Sequence, residues 1–198
     1  MPSAIDEFRA NIVHVNDLIG LGQVLAATTP GLDVSEIYRS ALAMAVSAMD
    51  RYVHEKTLHE MMAVHRGARP TTNAFERFSV TLAAARFGIA DVLSDLWLEG
   101  EIRQAHSLKA FQKTANIADA VRLFSAVELW NAVAAVLVLP AADVKTQVDL
   151  TVDRRNQIVH EFDCDPIAPG ARWPMDDVVA KGGSDFITSV VEAIEVVV

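Results

Sequence analysis

Apolar residues recur at helical spacing along most of this chain, and they nowhere alternate in the period of two that a half-buried strand requires. The clearest stripe lies toward the C-terminal end, where Val144, Val148, Val152, Val159 and Phe162 follow one another by three, four or seven positions. Turn-forming residues punctuate the rest. A first amphipathic helix is predicted from about Ser3 to Ala27, ended by Thr28-Thr29-Pro30-Gly31. Asp33 with Glu36 has the spacing of a capping box and predicts a long second helix to about His65, where Gly67-Ala68-Arg69-Pro70 breaks the pattern. Residues 73–87 and 90–112 predict a third and a fourth helix, with Gly88 and Gly100 as candidate breaks. Ser125 with Glu128 predicts another capping box, opening an apolar helix to Leu139, and Pro140 suits the first turn of the helix that carries the stripe. After a Pro-containing loop over 164–174, a final helix is predicted over 176–197, with Gly182-Gly183 as a candidate kink. The expected fold is all-α, an antiparallel bundle of about six to seven helices in one domain spanning 1–198.

The stripe contains a conflict. At about 100° per residue, Arg155 projects from its middle. A guanidinium keeps its charge, and burying one unpaired costs several kcal/mol. Either a structural acid pairs with Arg155, or the stripe lines a site that needs a fixed cation. His160 lies about 140° round the helix from Arg155, on the polar flank. The two converge on one ligand if it lies beside the helix or if a second copy contributes. Asn156 projects between them, in reach of a substrate or of His160. Arg154, beside an exposed face, reads as a solvated or phosphate-steering charge, and Glu161 as solvent surface. On the second helix Asp50 borders an apolar face made by Leu42, Val46, Met49 and Val53. Asp50 is either a cap or ion-pair partner, with Arg155 among the candidates, or a group that orients Arg155 toward a ligand.

Composition narrows the class further. An apolar fraction of 52% suits a globular protein or an obligate oligomer and is too high for disorder. The longest apolar run, Ala132 to Ala142, is too short to span a bilayer and contains Pro140. Asp6 and Glu7 near the N-terminus do not fit a secretory signal, and a single cysteine, Cys164, forms no internal disulfide, so a cytoplasmic location is expected. The net charge of −9 argues against a general nucleic-acid binder. Residues 143–181 carry five basic side chains against eight acids, so any phosphate site there is local and held within roughly the 8 Å screening length.

Other chemistry is poorly supported. His54-Glu55 and His59-Glu60 lack the second histidine that a metal-protease helix requires, and no Cys-x-x-Cys pair or Gly-rich phosphate loop occurs, so no metal or cofactor is expected. Trp97, Trp130 and Trp173 read as packing residues, with Arg172 beside Trp173 a candidate ligand contact because it follows the helix that carries Arg155.

Arg155 and His160 are well matched to RNA, which carries its own nucleophile in the ribose 2′-hydroxyl. An imidazole moves a proton near neutral pH, and a guanidinium binds two phosphate oxygens and stabilises developing charge. The segment Arg155-Asn156-Gln157-Ile158-Val159-His160 resembles the R-x4-6-H signature of the HEPN superfamily. The runs Ala41 to His54 and His160 to Pro166, with Pro169 to Pro174, look like the early helix and post-motif loop of its RiboL-PSP-HEPN branch, found in bacterial defence and toxin-like contexts. The resemblance implies a helical homodimer in which two motifs form one composite active site. It also implies metal-independent endonucleolytic cleavage of RNA to a 2′,3′-cyclic phosphate, under the control of an antitoxin or a defence-system partner. Arg155, His160 and Asn156 would be catalytic, with Asp50, Arg154 and Arg172 supporting them. One HEPN toxin group continues its motif as His-x-Tyr, the tyrosine accepting nucleotides from its antitoxin; here that position is Phe162, which has no hydroxyl. The competing expectation is a non-catalytic HEPN-like module that dimerises and binds a partner or nucleotide, which the acidic surface favours. An all-helical DNA-binding regulator has little support, because no helix pair carries a basic recognition face.

Overall fold

A computed structural model describes residues 3–91, 93–168 and 170–198. Eight helices account for the regular structure of these residues, one or two more than the pattern predicts. They are α1 (Ala4–Thr28), α2 (Ser35–His65), α3 (Leu82–Ala90), α4 (Leu96–His106), α5 (Thr114–Arg122), α6 (Leu129–Leu137), α7 (Ala141–His160) and α8 (Asp177–Val197). The single bridge between extended residues, Cys164 to Arg172, closes the loop after α7. The fold is all-α.

The long second helix is the axis of the bundle. It packs against α1 along its length, against α8 on another flank, and against α7, α4 and α5 elsewhere, while α6 bridges α7 and α8. Its stripe of Leu42, Val46, Met49 and Val53 is at most 3% exposed and shares the main core with Phe8, Val15, Val148, Val152, Ile187 and Val191. A smaller core of Leu58, Met61, Met62, Leu98 and Ile102 joins the end of α2 to α4. Close approach at α8 needs a residue without a side chain: a Cβ on Gly183 would fall 2.5 Å from the buried Leu42 Cδ1. Gly183 therefore lets α8 seat against α2, and the helix runs through Gly182-Gly183 unbroken.

Several boundaries depart from the pattern for identifiable reasons. The capping box is at Ser3, whose hydroxyl accepts from Asp6 N at 3.2 Å while the Asp6 carboxylate accepts in return; Ser3 holds the Asp6 pKa below the usual carboxylate range. At α2 no side chain caps the first turn: Asp33 closes a local turn onto Ser35 N at 2.9 Å, and Glu36 is drawn away by Arg39 and Arg172. Ser125 and Glu128 likewise form no box; Glu128 occupies the N-cap of α6 without a side-chain bond. Residues 73–77 form turns instead of a helix, anchored where Thr72 donates to Arg122 O at 2.8 Å and accepts from Phe75 N. The expected 90–112 helix is only α4, and the unforeseen α5 owes its start to α7: Asp149 accepts from Thr114 N and from Thr114 Oγ1, each at 2.9 Å. Pro140 stands at the N-cap of α7, one position before its first turn. Among the described residues no single helix is long and apolar enough to cross a membrane.

Candidate active site

The stripe on α7 is buried for three turns and then leaves the bundle. Val144, Val148 and Val152 are at most 1% exposed, whereas Val159 is 50% and Phe162 71% exposed. Arg155 stands at the transition, half-buried, where the helix passes from core to solvent. Among the described residues no carboxylate pairs with it. Arg155 Nη1 donates to Asn156 Oδ1 at 3.1 Å, and its buried Nε has no protein partner. His160 ends the helix with an exposed ring. The motif helix thus presents a guanidinium held by Asn156 and, about 7.5 Å further along the axis, an accessible imidazole.

The other three sequence candidates are held by partners other than Arg155, and the readings that join Asp50 to Arg155 and leave Arg154 solvated need correcting. Asp50 does not touch Arg155. Its carboxylate accepts from Phe111 N at 2.6 Å and from Gln112 Nε2 at 3.2 Å, so it pins the segment between α4 and α5. Arg154 is not a solvated charge. Its Nη2 donates to Asp163 Oδ2 at 2.9 Å and to Pro174 O at 3.1 Å, and its guanidinium lies 6.0 Å from the Trp173 ring. Burial holds the Arg154 pKa below the ordinary guanidinium value, against the opposing pull of Asp163. Arg172 is also engaged: Nε donates to Phe162 O at 2.7 Å, the guanidinium meets Glu36, and it lies 4.9 Å from the centre of the Phe162 ring. Trp130 is a packing residue, its Nε1 donating to Thr114 O at 2.9 Å, and Cys164 is exposed in the loop.

These contacts centre on a residue the sequence reading passed over. Asp163 is fully buried, and its Oδ2 accepts from Arg39 Nε at 2.7 Å as well as from Arg154. Arg39 is itself 3% exposed and spends its remaining donors on Trp173 O, Ser35 Oγ and Glu36 Oε1. The backbone is held at the same point, with Asp163 N donating to Gln157 O at 2.9 Å and Trp173 N to Asp163 O at 3.0 Å. One buried carboxylate therefore joins the start of α2, the end of α7 and the loop between α7 and α8. A signal existed: Arg39 lies three positions before Leu42 on the apolar face of α2, the same conflict that marks Arg155 on α7. Asp163 itself carried no such mark, since it follows the helix in a loop.

A fixed cation with no competing carboxylate, a polar side chain on it and an accessible imidazole can bind an anionic centre and move a proton beside it. The neighbouring cations are consumed in holding the backbone that presents those groups. No family model, curated protein or solved structure matches the chain.

Proposed function

We propose that this protein is a metal-independent RNA endonuclease of the HEPN type. The observation that supports this reading best is Arg155: alone among Arg39, Arg154, Arg155 and Arg172 around the end of α7, it forms no ion pair among the described residues. Its guanidinium is half-buried with an unpartnered Nε, so an anion can engage it without displacing a carboxylate. An RNA phosphate fits. The 2′-oxygen attacks the adjacent phosphorus and the bond to the 5′-oxygen breaks, leaving a 2′,3′-cyclic phosphate and a 5′-hydroxyl. His160 takes the 2′-hydroxyl proton or supplies the proton to the leaving oxygen, and Arg155 stabilises charge on the non-bridging oxygens. Asn156 holds the guanidinium in place. No metal is needed, because RNA supplies its nucleophile.

Within one chain the imidazole lies about 140° round the helix from Arg155, so a second copy would complete the pair by placing its own motif across a shared cleft. The reading includes a cytoplasmic setting and control by a toxin-neutralising or defence-system partner. Phe162 cannot accept a nucleotide as a tyrosine would. The test is incubation of the purified protein with mixed RNA, with and without EDTA: cleavage that persists in EDTA and yields cyclic phosphates is expected, and absolute dependence on a divalent metal would defeat the mechanism. The acidic surface, with a net charge of −9, favours a second reading as a non-catalytic dimerisation and partner- or nucleotide-binding module. Intact RNA with a stable dimer would select it.

A further inference from the structure

We propose that the Phe162 ring is a stacking platform for an unpaired base of the RNA, which restricts the substrate to single strands and loops; the inference rests on the ribonuclease reading above. Phe162 lies two positions after His160 and is 71% exposed, yet its geometry is closely held. Its φ is +57°, and that of Asp163 is also +57°, in the left-handed region that bulky L-residues avoid. Such a conformation persists only where the surroundings over-determine it. Here they do: Arg172 Nε fixes the Phe162 carbonyl at 2.7 Å, and the buried contacts of Asp163 fix the next residue. The strained backbone here presents an aromatic ring to solvent, the kind of place where such strain accompanies a ligand site.

The ring is also backed. The Arg172 guanidinium lies 4.9 Å from its centre and is held by Glu36, so ring and cation form a preorganised pair. Aromatic rings and arginine planes are the surfaces on which proteins stack unpaired bases, with little regard to which base is present. A base inside a duplex is already stacked and offers no free face. The proton-transfer group two residues away places the platform beside the phosphate to be cut. Arg172 therefore acts as the support of the platform, with its charge already used by Glu36, and is not a second phosphate clamp.

The experiment measures binding of a labelled, unstructured single-stranded oligoribonucleotide by fluorescence anisotropy in a His160→Ala background, which suppresses cleavage. Phe162→Ala should weaken binding by roughly 5- to 150-fold, the range for losing one stacking aromatic, and Phe162→Trp should retain it. Phe162→Gly relieves the left-handed strain, so its Tm should be no lower than that of the parent while binding falls as for alanine; a structural role would link the two losses. An abasic nucleotide at the contacted position should cost as much as Phe162→Ala and add nothing to it. Unchanged binding by the alanine and glycine variants would overturn the platform but leave the ribonuclease reading standing if wild type still cuts RNA. Loss of the dimer in sedimentation velocity together with loss of binding would show that a second copy covers the ring, and would also overturn it. Failure of the wild-type chain to bind or cut any RNA would remove both proposals together.

Discussion

Two adjacent arginines on α7 end in opposite environments, and the difference makes separate predictions. Arg154 is bound to a buried acid; Arg155 is bound to a neutral amide. Arg155→Ala should lower cleavage by about 10²–10⁴-fold with little change in Tm, and Arg155→Lys should restore little, because a point charge does not reproduce a two-pronged clamp. His160→Ala should lower cleavage over a similar range of about 10²–10⁴, again without unfolding the bundle. Wild-type rates in both variants would leave the site without support. Asp163→Ala should behave differently. It strands Arg39 and Arg154 without their buried partner, so urea unfolding should show a loss of about 3–5 kcal/mol. A loss below about 1 kcal/mol would mean that water or rearranged neighbours compensate for both cations.

Helix by helix, stability depends on contacts that cross between elements. His106 closes α4 with 3% exposure, its ring edge-on to Phe111 at 5.1 Å and to Phe78 at 6.1 Å. Burial, assisted by Lys109 and His54, lowers its pKa from 6.5 to about 4. The folded chain keeps this imidazole neutral where the unfolded chain binds a proton. Its contribution is therefore complete above pH 6.5 and is lost as pH falls through about 4, at about 1.4 kcal/mol per unit of depression. Denaturation midpoints measured from pH 7 to 4 should fall, and His106→Leu should flatten that slope; an unaltered slope would assign the acid sensitivity to other groups. Element boundaries were the least legible part of the sequence for the same reason. Asp33 with Glu36 had the spacing of a capping box, but an arginine from beyond α7 captured Glu36. Thr114 starts a helix because a carboxylate 35 positions away caps it. Local spacing does not register such partners.

At the scale of the whole molecule, assembly and charge decide how the site meets RNA. The α7 stripe runs out of the core at Val159, and one chain sets His160 about 140° from Arg155. A two-fold homodimer whose interface includes the helix around 143–163, with the Phe162 ring left open to the shared cleft, is expected by light scattering, and a monomer at micromolar concentration that keeps its activity would sink the shared-cleft arrangement. With a net charge of −9, RNA affinity should be weak and should fall with added salt, since attraction comes from Arg155 working against an acidic surface. A salt-independent binding curve would count against phosphate contact.

The sequence alone determined the all-α class, the long second helix and the motif helix, because 3.6-residue periodicity is a local property that burial of one face imposes on every such helix. It also marked Arg155, since a permanent cation on an apolar stripe conflicts with its surroundings whatever the fold. The tertiary structure decided what resolves each such conflict. It gave Arg39 and Arg154 to Asp163, gave Asp50 to the backbone of Phe111, and left Arg155 with Asn156. Those assignments depend on which residues distant in sequence arrive within about 3 Å of one another, the range in which a hydrogen bond or ion pair forms. Helical periodicity carries no record of that distance.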